Sequence, residues 1–350
     1  MEFTVVQEEL KFALDSVKRV ASVKTNIPCL SSVLVIASDA GLSLRCTDLE
    51  VFIEKKIGAV VKEAGQTCIP VAVLSEFVSS LPNDKVTLVT NKKKINVQCG
   101  RFNANVNVLD PEDFPASSTI ETTIEIDAEQ FRKAIGKVLH AVAADDARPT
   151  LTGMFLDGKN AVGADGFRMA LASLPMDGLN LIVPSRPLKE AIRVLSGTIS
   201  IGVNDHMMVM SDGTTEVGTR LIEGSYPNYQ NIMPELGPTK AIVSVSELYS
   251  VVRSVMIFNK DNKRIKLEIG EAITVKAQAE EGDGVCTVDA QVEGPGLEIG
   301  LNAKYLLDLL SSIGTEKIAF YFTSPATPVR ASAPDDSGFT EVIMPMTLEK

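Results

Sequence analysis

The chain has 350 residues, 45% hydrophobic and 23% charged, with 34 Lys and Arg against 45 Asp and Glu for a formal net charge of −11. Such a length exceeds one small core and implies two or three domains, while the composition argues against wholesale disorder and the charge against a uniformly basic nucleic-acid surface. No run approaches the roughly 18 apolar residues of a membrane span, MEFTVVQEEL lacks the regions of a signal peptide, and five scattered cysteines (Cys29, Cys46, Cys68, Cys99, Cys286) point to a reducing cytoplasm rather than a disulfide framework or zinc site.

From the N-terminus, FTVVQEELKFALDSVKRV, beginning at Phe3, reads as a short strand running into an amphipathic helix. Hairpin-like runs follow (SSVLVIASDAGLSLRCTD), then a second helix signal, VAVLSEFVSSLPND, closed by Leu81, then more hairpins (KVTLVTNKKKINVQCG). The pattern then restarts twice. IEIDAEQFRKAIGKVLHAV at Ile124 and AIVSVSELYSVVRSVMIF at Ala241 repeat the first helix, and PSRPLKEAIRVLSG and NAKYLLDLLSSIGT repeat the second. Leu10, Phe131 and Leu248 fall at equivalent places, 121 and 117 residues apart, and Gln7, Asp127 and Ser246 stand as polar caps. Pro187 suits a first helical turn, and Gly197 and Gly314 suit helix stops. The expectation is an α+β chain of three repeated domains, 1–118, 119–237 and 238–350, with turn-rich linkers near 113–121 and 234–240.

Charge is distributed unevenly over this pattern. Residues 8–24, 74–81, 128–140, 185–196, 247–260 and 302–313, taken as the six helices, sum to +5 and leave −16 for the rest. Solvated helix faces alone produce such a bias; a second reading is a mildly basic helical surface that holds phosphates without reading bases. No basic-aromatic interleaving for stacking bases is present.

Catalytic motifs are missing. GMFLDGKN (153–160) is a near miss to a phosphate loop, but Asn160 replaces the Mg²⁺-binding hydroxyl residue and a hairpin turn at Asp157-Gly158 accounts for it. Two histidines, His140 and His206, support no metal cluster, and the acid pairs Asp145-Asp146, Glu280-Glu281 and Asp335-Asp336 read as solvated turns. Neither an enzyme, a metal nor a cofactor is expected. The terminal VIMPMTL (342–348) stays open between a last core strand and a pocket wall.

Several stretches resemble one family. ARPTLTGMFLD (147–157), GADGFRMALASLPM (163–176), GSYPNYQNIMP (224–234) and VIMPMTL are similar to the bacterial DNA polymerase III β subunit, the sliding clamp. LSLRCTDLEV, VLDPEDFP and EIGLNAKYLLDLL agree, in order along the whole chain. The resemblance implies the DNA clamp fold: a head-to-tail homodimer closing into a ring of six domains, with helices inside around duplex DNA and sheets outside. It implies a non-enzymatic processivity factor of DNA replication, cytoplasmic and nucleoid-associated, binding DNA without sequence preference. Its partners would be the polymerase III α subunit, the clamp loader, repair polymerases and other clamp-motif proteins, with no membrane.

Those partners insert short linear motifs into a groove between the second and third domains. Carried onto this sequence, the groove would use Arg148, Leu151, Gly166, Phe167, Arg168 and Met169 of the second repeat, then Pro227 and Ile232 near its end. From the third repeat come Asn302, Tyr305, Val342, Met344, Pro345 and Met346, with Arg168, Asn302 and the backbone at Gly166 placed to hold polar groups of the peptide. Flexible thioethers suit a wall that repacks around varied anchors. Ala164, Asn231, Asn262 and Thr347 depart from the family pattern, making this groove less cationic and less aromatic. Lys24 and Arg148 match family DNA contacts, and Ala104 and Val106 against Met256 and Ile257 match its dimer contact. The alternative is a clamp-like peptide-binding scaffold that does not encircle DNA.

Overall fold

The computed structural model describes residues 1–22, 26–116, 120–121, 124–145, 147–259, 262–280 and 282–348. Among the described residues six α-helices recur in pairs between antiparallel strands: α1 (Gln7–Val17), α2 (Val71–Ser80), α3 (Ala128–Val138), α4 (Ser185–Val194), α5 (Val245–Val255) and α6 (Ala303–Ser312). Leu10, Phe131 and Leu248 are all buried, as the repeat requires. Capping differs between repeats. Asp127 accepts from the Glu129 amide at 3.0 Å, whereas Ser244, not Ser246, caps α5, accepting from Glu247. Gln7 is no cap; its buried amide donates to the Val78 carbonyl at 2.7 Å and ties α1 to α2.

The chain divides into two compact units, Met1–Glu129 with Arg186–Leu221, and Gln130–Ser185 with Ile222–Lys350. The first unit holds a five-stranded sheet, edged by Val60–Glu63 and Phe102–Asn107, and an eight-stranded sheet. In the latter, Thr215–Arg220 of the second repeat pairs with Val51–Ile57 of the first, Thr219 opposite Val51. The second unit holds a 12-stranded sheet in which Asp336–Ile343 pairs with Arg168–Ser173, Ile343 opposite Arg168. One junction is therefore built twice, once in each unit. The near phosphate loop is a hairpin as expected: Gly153–Leu156 pairs with Asn160–Ala164, and Asp157 accepts from the Lys159 and Asn160 amides beside Gly158 at φ +84°.

Helix charge is smaller than the sequence count. Because α1 ends at Val17 and α5 at Val255, before Lys18, Arg19, Lys24 and Lys260 in the chain, the six helices carry +1 rather than +5. Their basic character is confined to α3 and α4, each +2. No described helix is long and apolar enough to cross a membrane.

Candidate functional site

The terminal segment is a strand that continues beyond its regular end. Asp336–Ile343 lies between Arg168–Ser173 and Val329–Ala333, and the Met344 amide donates to the Phe167 carbonyl at 2.9 Å. Two residues on, the Met346 amide donates to the Gly300 carbonyl at 2.8 Å. Gly300 permits that approach, since a Cβ there would sit 2.5 Å from the Met346 oxygen. Sheet pairing thus draws the two methionines across the surface of the second unit, with Met344 44% exposed.

Beside that segment the chain turns sharply. Asp165 accepts from the Phe167 and Arg168 amides at 2.9 and 3.0 Å, and Gly166 adopts φ +90°, a conformation that side chains resist. The turn lifts Phe167 into solvent, 62% exposed, and sends Arg168 inward, where it is 8% exposed. Leu151, Met169 and Val342 share one apolar cluster with Val162, Ala164 and Tyr229. Phe155 and Tyr226 stack on each other with ring centroids 5.0 Å apart and pack against this cluster. Leu151 enters from a 3₁₀ turn, Pro149–Thr152, and Ile232 ends another, Tyr229–Ile232, 57% exposed. Pro227 and Arg148 are also exposed, and Arg148 lies alongside Gly166.

Polar groups in this region are committed to one another. The Arg168 guanidinium donates to Asp165 at 3.0 Å and to Asp308 of α6 at 2.9 Å, and its centre lies 4.4 Å from the Tyr305 ring centroid. Burial pushes the Asp308 carboxyl up, but hydrogen bonds from Lys304 and Arg168 outweigh it and hold it below the usual carboxylate range. Burial, reinforced by the charge of Asp165, raises the Tyr305 hydroxyl. The Asn302 side chain accepts from the Lys304 amide at 2.9 Å and caps α6. Arg168 and Asn302 therefore brace the region, and the side chains it leaves exposed among the expected groove positions are mainly Phe167, Ile232, Met344 and Arg148.

Underneath, Glu341 is fully buried, with one oxygen 2.9 Å from His140 Nε2 and the other without a hydrogen-bond partner. Sequence reading missed Asp308, His140 and Glu341. Only Asp165 to Arg168, three residues apart, offered a local signal, because Asp308 and His140 reach their partners from 140 and 201 residues away.

All fourteen groove positions lie in the second unit. Lys24 lies outside the described residues. Ala104 and Val106 lie on Phe102–Asn107 in the first unit; Met256 and Ile257 follow α5 in the second.

Residues 1–118, 125–228 and 230–347 match the N-terminal, central and C-terminal domains of the DNA polymerase III beta subunit. A beta sliding clamp from Pseudomonas putida is 31% identical over 378 residues, covering 99% of this chain and all of the relative. The chain belongs to the DNA polymerase III beta-subunit family, the sliding clamps. A Pseudomonas aeruginosa beta sliding clamp is 29% identical over 374 residues with the same coverage. Among solved structures, the Pseudomonas aeruginosa sliding clamp superposes with a TM-score of 0.91 at 27% identity, covering 99% of this chain and 100% of that one. The Bacillus subtilis clamp gives 0.93 at 24% identity over all of both chains, a match of fold. The expected three-repeat α+β clamp fold is thereby shown.

Proposed function

We infer that two copies of this chain close head to tail into a ring around duplex DNA, in cytoplasm on the nucleoid, and tether replication and repair proteins without catalysing a reaction. The carrying observation is a mismatch of sheet edges. Val51–Ile57 is covered by Thr215–Arg220, and Arg168–Ser173 by Asp336–Ile343. In the third repeat the corresponding strand is the first half of Gly282–Glu293; Gly282–Asp289 pairs with Ala272–Ala279, and its other edge has no strand among the described residues. Conversely, Phe102–Asn107, the first repeat's counterpart of the two covering strands, pairs among the described residues only with Lys94–Cys99.

An open covering strand and an open covered strand on one chain make a heterologous contact, which must close or polymerise. Exposed apolar side chains flank the third-repeat edge, among them Ile257, Phe258 and Val285. Phe258 packs on Gly284, where a Cβ would fall 2.5 Å from its ring. In this reading Ala104 and Val106 of one copy meet Met256 and Ile257 of the other. The three domains are 1–118, 119–237 and 238–350, with the groove at the second junction.

Encirclement removes the need for tight phosphate binding, which suits a chain of −11 with helices of only +1. Lys24, Arg148 and the basic α3 and α4 supply weak, salt-sensitive contacts. The polymerase III α subunit, the clamp loader and repair polymerases dock short apolar motifs over Phe167, Ile232, Met344 and Met346.

After loading by the cognate loader with ATP, the protein should remain on nicked circles and run off the same DNA once linearised. Equal loss from both, with an active loader, would replace the ring with a peptide-binding scaffold. Truncation after Ile343 should weaken binding of a polymerase-tail peptide by at least about ten-fold while leaving dimer mass unchanged. Unaltered peptide affinity, measured by fluorescence anisotropy, would refute the groove assignment.

A further inference from the structure

The first unit contains a cavity of about 150 Å³ whose lining includes Arg45, Leu49, Glu50, Phe52, Met207 and Arg220. Its framework repeats that of the groove atom for atom. Asp48 accepts from the Glu50 and Val51 amides at 3.1 and 2.9 Å, as Asp165 does from Phe167 and Arg168. Leu49 stands at φ +79° where Gly166 stands at +90°. The Arg220 amide donates to the Glu50 carbonyl at 2.9 Å, as the Met344 amide does to Phe167. The cavity thus occupies at the first junction the place of the groove at the second.

The chemistry lining it differs. Val51 takes the place of Arg168, so the turn carboxylate has no arginine on its own strand, and Asp48 pairs instead with Arg186. Phe52 packs on Gly218, where any Cβ would collide with its ring, and forms the apolar floor. Arg220 replaces Met344 at the rim. Arg45 gives one guanidinium nitrogen to Glu54 and lies 5.4 Å from the Phe52 ring, while its buried Nε has no acceptor. Leu49 holds a left-handed backbone that non-glycine residues rarely adopt, and its side chain remains 47% exposed at the mouth. Arg45 is shared with Glu54, and Arg220 at the rim has no ion-pair partner among the described residues.

We propose that this cavity is a second peptide-docking pocket, taking one leucine-sized side chain of an extended acidic segment whose carboxylate pairs with Arg220. A volume of about 150 Å³ suits a single apolar group of benzene size and not a multi-anchor motif. The assignment does not require the groove to be occupied.

The test uses full-length protein carrying ¹³C-methyl methionine, with N-acetyl-Asp-Leu-amide as probe and N-acetyl-Asn-Leu-amide as control. Met207 reports on the cavity, and Met344 and Met346 on the groove. The Met207 signal should shift saturably with a Kd on the order of 1 mM, and the neutral control should bind about five-fold more weakly. Arg220→Glu should abolish the shift while the signals of Met208 and Met210, on the neighbouring strand of the same unit, hold their positions and certify the fold. If that variant loses those reference signals, Arg220→Gln carries the same test. A Met207 signal unmoved at about 10 mM probe, moved equally by the control, or still moved in the Arg220 variant would overturn the proposal. So would a response confined to Met344 and Met346. Failure of the groove reading would instead appear as silence of Met344 and Met346 toward a polymerase-tail peptide.

Discussion

Arg168→Ala should destabilise the protein by about 3 kcal/mol, the cost of breaking a buried ion pair by deleting one partner. Asp165 would lose its counter-charge and Asp308 would keep only Lys304, the two carboxylate side chains being 16% and 23% exposed. Tyr305 would lose its cationic face as well. The loss should be visible as a lower midpoint in urea unfolding with an unchanged slope. Peptide affinity should fall too, since Arg168 fixes both the turn that presents Phe167 and the helix that carries Tyr305. Arg168→Lys should recover only part of both, because an ammonium cannot serve two carboxylates and a ring face with planar geometry.

The same pair sets a pH dependence. The Asp308 carboxyl is held below its ordinary value in the folded state, so it binds a proton less readily there than in the unfolded chain. Its contribution is therefore fully present above the unfolded value of about 3.9 and is lost as pH falls through the folded one. Without Arg168 the depression weakens, so less stability is lost as pH falls and the destabilisation by Arg168→Ala should shrink in acid. A destabilisation that stays constant into acid would mean that Lys304 alone holds Asp308 down.

How much of this was legible beforehand follows physical range. Helical periodicity and turn residues are local, so the threefold repeat and its buried Leu10, Phe131 and Leu248 could be read directly. Caps were less secure: a serine two residues from the true cap looks equally suitable, and Gln7 spends its amide on another helix. Helix ends were overrun where basic residues continued the pattern past Val17, which inflated the helical charge. Within the candidate site, the apolar wall and the Asp165-Gly166 turn carry sequence signatures. The roles of Arg168 and Asn302 did not, because exposure alone separates a polar group offered to a ligand from one consumed in bracing the framework. Pairing of the terminal strand with Arg168–Ser173 also answers what holds the apolar tail. It is both a core strand, through Val342 and Ile343, and a surface wall, through Met344.

Glu341→Gln should stabilise the protein at neutral pH by about 1 kcal/mol, a gain expected when a buried charge is replaced by a neutral group of the same shape. Glu341 sits mid-strand between Ala170 and Ala331, fully buried. Burial raises its carboxyl above the ordinary range, although the His140 hydrogen bond and the charges of His140 and Arg168 oppose that rise. A raised folded value means the protonated form is favoured by folding. Its stabilising contribution is complete below the unfolded value of about 4.3 and is lost as pH rises through the folded one. Glutamine cannot ionise, so its advantage should grow with rising pH and vanish in acid. Glu341→Ala should instead cost about 3 kcal/mol, since it leaves a cavity and strips His140 of its partner. Denaturant midpoints of the three proteins between about pH 4 and pH 8 decide the matter. A glutamine variant less stable than the parent at every pH would show that the ionised pair with His140 holds this strand in place beneath the groove.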